Sequence, residues 1–289
     1  MKIIGTGLNG LVGSRIVELL NSSFEFESIS RSTGVDITDA SQVLDVVSKS
    51  PAEVVLHLAA KTDVDGCEKD KDLREKGEAW KINVEGTKNI VKACEKSGKK
   101  LIYVSTDFVF DGEIGEGEFY TEESTPNPVN WYARTKYEGE KVVQQSSTPW
   151  VIVRLAYPYR ANFTKPDFYR AIKKRLESGQ PVAAVADHVF TPTFIDDFAN
   201  CLRVLIEKKV TGIFHTVGEE FLSPFDAADI IAEIFALDKN LISKTTREEF
   251  FKGRAQRPFR LALKNAKIES FGVKNSTFRE GILKIKEQL

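Results

Sequence analysis

The chain begins MKIIGTGLNGLVGSRIVELL, and this stretch limits the fold more than any other. The apolar segment at 1–4 is strand-like, and LVGSRIVELL at 11–20 carries apolar residues at helical spacing. Between them lies GTGLNGLVG, residues 5–13. A glycine turn that leaves a strand and opens a helix is what a βαβ unit needs to hold a pyrophosphate. It supplies a tight bend, close backbone approach and a helix N-terminus with partial positive charge. Two registers fit: Gly5, Gly7 and Gly10 as G-x-G-x-x-G, or Gly7, Gly10 and Gly13 as G-x-x-G-x-x-G. The second is preferred, because Gly13 falls on the first helical turn, where a missing Cβ lets helix and strand pack closely. Asn9, Leu11 and Val12 then complete the candidate dinucleotide cradle with Gly7, Gly10 and Gly13.

The alternation continues. FEFESIS (24–30) alternates as a strand does, ASQVLDVVSK (40–49) is helical, and EVVLHLAA (53–60) is a continuous apolar run suited to a strand buried on both faces. A long helix is expected within EAWKINVEGTKNIVKACEKSG, closed by Gly98. KLIYVST (100–106) and PWVIVRLAY (149–157) are further strands flanking a helix. This pattern predicts an α/β fold, a doubly wound parallel sheet of Rossmann type with helices on both faces. Later segments are less regular. GIFHTVG (212–218) reads as a strand, Ser223 and Pro224 start a helix, and Thr277 with Glu280 forms a capping-box pattern. Residues 1–155 are assigned to a cofactor domain. Residues 156–289 are assigned mainly to a smaller C-terminal substrate lobe, with some segments returning to the sheet.

Net charge is −1, so no global basic field exists to hold nucleic acid or an acidic membrane. The local cluster KKRLE (173–177) is read as a solvated helix face. Cys67, Cys94 and Cys201 are odd in number and lack metal spacing, which points to a reducing, cytoplasmic setting. The N-terminus enters a strand at once, without a signal-peptide pattern, and no apolar run approaches the ~20 residues needed to span a bilayer. Asp63, Asp65 and Glu68 are read as a solvated acidic loop in preference to a metal site.

The second strand ends in SISRSTG, which lacks the acid that would bind the ribose 2′-hydroxyl of NAD. Ser30 and Arg31 stand there instead, and the planar fork of arginine matches a 2′-phosphate. NADP(H) is therefore the preferred cofactor, with NAD(H) the second candidate. A further pair lies in NWYARTKYEGE (130–140), where Tyr132 precedes Lys136 by one helical turn, so both share a face. A neighbouring ammonium stabilises a phenolate, so the tyrosine pKa is expected to fall from ~10 toward neutrality. Such a tyrosine exchanges a proton at working pH.

The glycine turn and Tyr-x-x-x-Lys together resemble the extended short-chain dehydrogenase/reductases. VDITD (35–39), HLAAKTDVDGCE (57–68), INVEGTKNI (82–90), STDFVFDG (105–112), NWYARTKYEGE, TPTFIDDFA (191–199) and Arg257-Pro258 narrow the likeness to the dTDP-4-dehydrorhamnose reductase family over nearly the whole chain. The resemblance implies reduction of a keto group on a nucleotide-linked deoxysugar by NADPH, with Thr106, Tyr132 and Lys136 as the catalytic set. It places Asp36 and Ile37 beside the adenine. It lines the cofactor with Leu58, Ala59, Ala60, Thr62, Tyr132, Lys136 and Tyr157, and the substrate with Thr106, Asp107, Tyr132 and Arg257. Arg257 is expected to face a substrate phosphate, and Asn83 to support the site. His57 is expected to pack near the cofactor; His188 and His215 receive no role. A homodimer through the helices around 79–97 and 132–145 is a family expectation.

The chain departs from the family on the substrate side. Ala156, Tyr157, Pro158, Tyr159 and Arg160 stand where Ser-Trp-Val-Tyr-Gly is usual, and Leu261 and Lys264 replace a serine and an aspartate. Two alternatives follow: a non-catalytic dinucleotide-binding regulatory subunit like that of methionine adenosyltransferase, and a sugar-nucleotide epimerase or dehydratase.

Overall fold

The structure is a computed structural model and describes residues 1–289. Its first half runs β1 (Lys2–Thr6), α1 (Leu11–Leu20), β2 (Glu25–Ile29), α2 (Ala40–Lys49), β3 (Val54–His57), α3 (Val64–Glu68), α4 (Glu78–Trp80), α5 (Thr87–Ser97), β4 (Lys100–Thr106), α6 (Trp131–Gln144) and β5 (Trp150–Leu155). A π-helical turn, Lys81–Gly86, joins α4 to α5. The second half adds α7 (Phe168–Glu177), β6 (Val182–Val185), α8 (Ile195–Glu207), β7 (Gly212–His215), α9 (Pro224–Phe235), β8 (Ile242–Thr245), α10 (Arg247–Phe250), α11 (Ala266–Glu269) and α12 (Phe278–Gln288).

Six strands form one sheet in the order β2-β1-β3-β4-β5-β7, all pairs parallel. The order reverses between β1 and β3, and the crevice outside their carboxyl ends is where such sheets bind ligands. Thr6 and His57 are register partners at that point. Successive residues of β1 point to opposite faces. Ile3 packs with Ile16, Leu20, Phe198, Leu202 and Leu205 from α1 and α8. Ile4 packs with Val43, Val47, Ile90 and Cys94 from α2 and α5. Each such burial contributes roughly 1.5–3 kcal/mol, and covering both faces accounts for the uninterrupted apolar strands.

The later segments divide between two bodies. β7 extends the main sheet and α8 covers it, while β6 and β8 form a separate two-stranded parallel sheet. A second core of Tyr159, Tyr169, Phe190, Phe194, Ile231, Phe278 and Ile282 lies in this part.

Local signals hold in detail. Gly98 takes a left-handed φ of 66° and donates its N–H to the Cys94 carbonyl, ending α5. Ser223 and Thr277 both close capping boxes, with Asp226 and Glu280. All three cysteines are free and buried. No helix is long and apolar enough to cross a membrane.

Candidate active site

The glycine turn takes the register that includes Gly13. Gly5 lies inside β1, Gly7 has a φ of 71°, and Gly10 is the extended N-cap of α1. A Cβ on Gly7 would lie 2.8 Å from the Ala59 nitrogen, and one on Gly13 would press on the Gly7 carbonyl and sit 2.6 Å from Leu8 Cα. The bend therefore closes against the end of β3 on one side and α1 on the other. Asn9 and Gly10 are exposed, Leu11 and Val12 half-buried, and no acidic side chain occupies the first turn of α1. This cradle fits a dinucleotide pyrophosphate: side chains would fill it where glycines leave backbone N–H groups accessible.

At the end of β2, Ser30 caps a short turn over 31–33. The Arg31 guanidinium is exposed and pairs with Asp36 at 3.1 Å. Asp36 also accepts from the Thr38 N–H and hydroxyl, and these bonds hold its carboxyl below the usual range. Ile37 is buried beside Gly86.

Between the strand ends runs a chain of neutral hydrogen bonds. The Thr6 hydroxyl accepts from the Ala59 N–H (3.1 Å), so its own proton points to His57 Nδ1 (2.6 Å). His57 is then protonated at Nε2, which donates to the Thr87 hydroxyl (3.1 Å), and Thr87 donates to the Asn83 carbonyl (2.7 Å). Burial pushes the His57 pKa down to about 3, consistent with a neutral imidazole. Asn83, inside the π-turn, accepts from the Lys61 N–H and donates to the Lys61 carbonyl and the Thr135 hydroxyl. It thereby fastens the loop after β3, which carries Leu58, Ala59, Ala60 and Thr62, to α6; Thr62 is exposed and the others half-buried.

Thr106 ends β4, and α6 starts at Trp131 with Asn130 as its N-cap. The Thr106 hydroxyl donates to Asp107 Oδ1 at 3.0 Å and accepts from the Phe108 N–H. Asp107 is buried, its Oδ2 has no partner, and desolvation pushes its pKa up to about 7. Tyr132 packs edge-on against Phe108. One sequence expectation is corrected here. Burial raises the Tyr132 pKa above its ordinary value, the Thr106 hydroxyl acts in the opposite direction, and Lys136 exerts no resolved effect on it. The Lys136 ammonium instead donates to the Val104 carbonyl (2.8 Å) and lies 4.2 Å from the Tyr103 ring centre. Desolvation lowers its own pKa to about 7, with Glu140 opposing. Helical spacing placed both residues on one face, but a long lysine stem chooses its partner locally.

Tyr157 follows β5 with a φ of 40°, a strained value for a non-glycine residue. Its ring meets Phe108, Phe168 and Phe190, and its hydroxyl lies 3.3 Å from His188 Nε2. These neighbours come largely from the second core, so Tyr157 joins the end of β5 to that core. Arg257 is nearly buried, and its Nη1 donates to Asp65 (2.5 Å) and to the Ala255 carbonyl (2.6 Å). One edge of its fork is thus held within the protein, while Nε and Nη2 make no protein hydrogen bond. The acidic stretch is helical and its carboxylates are engaged, although Asp63 is exposed. Asp63 caps α3, Asp65 also binds Arg254, and Glu68 accepts the Trp131 N–H at 2.7 Å. No group of three or more His, Cys, Asp or Glu residues is arranged to hold a metal ion.

The family model described as the RmlD substrate binding domain matches residues 1–289. The chain belongs to the RmlD substrate-binding-domain family. Among its relatives, the probable low-salt glycan biosynthesis reductase Agl14 of Haloferax volcanii is 30% identical over 277 residues, covering 91% of this chain and 90% of that protein. Methionine adenosyltransferase 2 subunit beta of Bos taurus is 30% identical over 266 residues, covering 86% and 74%. The crystal structure of dTDP-4-dehydrorhamnose reductase from Bacillus anthracis in complex with NADP superposes with a TM-score of 0.90 at 29% identity, covering 100% of this chain and 99% of that one.

The structure also locates this chain's departures from the usual RmlD-family residues. Ala156 and Leu261 are buried in one apolar core, and Lys264 lies over the Phe119 ring. Arg160 reaches the first turns of α1, bonding the Leu11 carbonyl, Ser14 and Glu18. The sequence reading overlooked a fully buried ion pair, in which Arg154 of β5 grips Glu140 of α6 through two bonds of 2.9 and 2.7 Å. The signal was present: an arginine inside an apolar strand requires a buried partner. His188 offered no comparable sign.

Proposed function

We propose that the chain is an NADP(H)-dependent reductase of a keto group on a nucleotide-linked deoxysugar, of the dTDP-4-dehydrorhamnose reductase kind. The observation that carries this is the gathering of Thr106, Asp107 and Tyr132 at the carboxyl end of β4, beside a glycine cradle closed by β1 and β3. Gly7, Asn9, Gly10, Leu11, Val12 and Gly13 would hold the pyrophosphate, and Ser30 and Arg31 the adenosine ribose with its 2′-phosphate. Leu58, Ala59, Ala60 and Lys136 would lie along the nicotinamide half. When bound, NADPH supplies the hydride.

The chain's own residues handle the proton and the developing charge. Tyr132 keeps its proton at working pH, because burial raises its pKa, and it donates that proton to the carbonyl oxygen. Such proton transfer contributes roughly 10²–10⁴-fold. Thr106 exchanges its bond to Asp107 for one to the same oxygen, and a fixed donor of this kind is worth ~3–4 kcal/mol. A phosphate of the substrate lies toward Arg257. A cytoplasmic setting and a homodimer belong to the same proposal; three buried free cysteines suit the first.

The test is NADPH consumption against a panel of nucleotide-linked 4-keto sugars, where turnover with at least one member is expected. The regulatory-subunit reading stays second, favoured by the bovine relative and by the altered substrate-side residues. Co-purification with a larger partner and no NADPH oxidation on any sugar would select it. Tightly held, stoichiometric NAD⁺ in the purified protein would select an epimerase or dehydratase.

A further inference from the structure

We infer that Asp65 is a positioning residue that aims Arg257 at the diphosphate of the substrate and ties the arginine loop to the start of the catalytic helix. The inference rests on the sugar-nucleotide reading above.

Two segments far apart in sequence meet at this carboxylate. Asp65 Oδ2 accepts from Arg254 Nε (2.8 Å), and Oδ1 accepts from Arg257 Nη1 (2.5 Å) and from the Ala255 N–H (3.1 Å). The same loop is held from the other side, where Asn130 donates to the Gln256 carbonyl at 2.9 Å. Asn130 is the N-cap of α6, two residues before Tyr132, and Glu68 on α3 accepts the next N–H of that helix. Helix α3 therefore braces both the loop over 254–257 and the end of α6 that carries Tyr132.

The charges are unequal. Two guanidinium groups share one carboxylate, which leaves positive charge over for an anion. Arg257 uses only Nη1 within the protein; Nε and Nη2 make no protein bond and are not sealed from the surface. Its guanidinium also stacks 4.9 Å from the Phe251 ring centre, which together with Asp65 fixes the plane of the fork. A planar fork held at one edge, with its other donors open, is suited to bidentate contact with a phosphate. The field of Arg257 reaches Tyr157. Asp65 itself is held well below the usual carboxylate range, first by Arg257, so the clamp stays charged at any working pH.

The test is calorimetric binding of thymidine diphosphate to the full-length wild type, Asp65→Asn and Asp65→Glu, with NADPH titrated into each protein as the control. Asp65→Asn is expected to weaken thymidine diphosphate ~10-fold or more, the loss of one charge-assisted contact. The sugar-nucleotide KM should rise in step, kcat should change far less, and NADPH affinity should hold. Asp65→Glu restores the carboxylate and should recover part of the loss. If Asp65→Asn does not fold, Asp65→Glu compared with wild type decides alone: displaced geometry should weaken thymidine diphosphate and spare NADPH. Unchanged or tighter thymidine diphosphate binding in the variant would overturn the inference, since Asp65 would then merely compete with the ligand. A wild type that binds no thymidine diphosphate would instead sink the sugar-nucleotide reading, and the inference with it.

Discussion

The two sides of the candidate site are built by different means. On the cofactor side, shape comes from missing side chains and a saturated neutral chain, Thr6–His57–Thr87–Asn83, in which each donor has an acceptor. On the substrate side it comes from charges paired across long sequence gaps, Asp65 with Arg254 and Arg257, and from buried polar atoms without protein partners. Asp107 Oδ2, His188 Nδ1 and Arg260 Nε are of this last kind. A saturated network is rigid and receives one shape of ligand. Unsatisfied buried groups are costly, and the main sheet carries some as well, at Ser28 Oγ, Ser105 Oγ and Arg154 Nη1.

Substitutions on either side should separate them. The largest expected effect is that of Tyr132→Phe. Turnover should fall roughly 10²–10⁴-fold while NADPH affinity holds, as steady-state kinetics beside a direct NADPH titration would show. Equal loss in both would erase the boundary between the sides.

Asp107→Asn comes next, read as stability rather than rate. Burial pushes the native carboxyl up to about 7, whereas an unfolded one keeps the ordinary value of about 3.9. Below both values the two states are protonated alike. As pH rises between them the unfolded chain loses its proton first, so stability is lost progressively until pH passes about 7. Asparagine carries no such penalty. The variant's advantage in denaturant melts should therefore be near zero at about pH 3 and grow to ~4 kcal/mol at about pH 8. A difference independent of pH would mean that Asp107 is not held protonated.

On the cofactor side, Gly13→Ala forces a Cβ against the Gly7 carbonyl. It should destabilise the protein by about 1–3 kcal/mol and weaken NADPH in parallel, with substrate KM unaffected at saturating cofactor. The smallest effect is expected from Arg31→Asp, an exposed position. The preference for NADPH over NADH should shrink by ~10-fold, the value of one charge-assisted contact. An unchanged ratio would remove Arg31 from the cofactor site.

The same contrast governs what could be read from the residues alone. The glycine register, the parallel strands, the Gly98 cap and the two capping boxes are local, set by residues within about one helical turn or by period-two and period-3.6 patterns. They were legible for that reason. The Asp65–Arg257 pair spans 192 positions, and nothing in either neighbourhood announces the other. Lys136 shows the limit of spacing arguments even nearby. Its backbone position follows from helix geometry, but its ammonium settles on the Val104 carbonyl of an adjacent strand, and burial outweighs any acidification of Tyr132. Arg154 lies between these cases: its need for a buried partner was readable, and only the partner's identity, Glu140, required the fold.

The most direct measurement is NADPH oxidation by the wild type and by Tyr132→Phe, side by side, on a nucleotide-linked 4-keto sugar. Steady oxidation by the wild type, with near-complete loss in the variant despite normal NADPH binding, is the predicted result. A wild type that binds NADPH but oxidises none on any such sugar, or a variant that turns over as fast as the wild type, would contradict the assignment of Tyr132 as the proton donor of a sugar-nucleotide reductase.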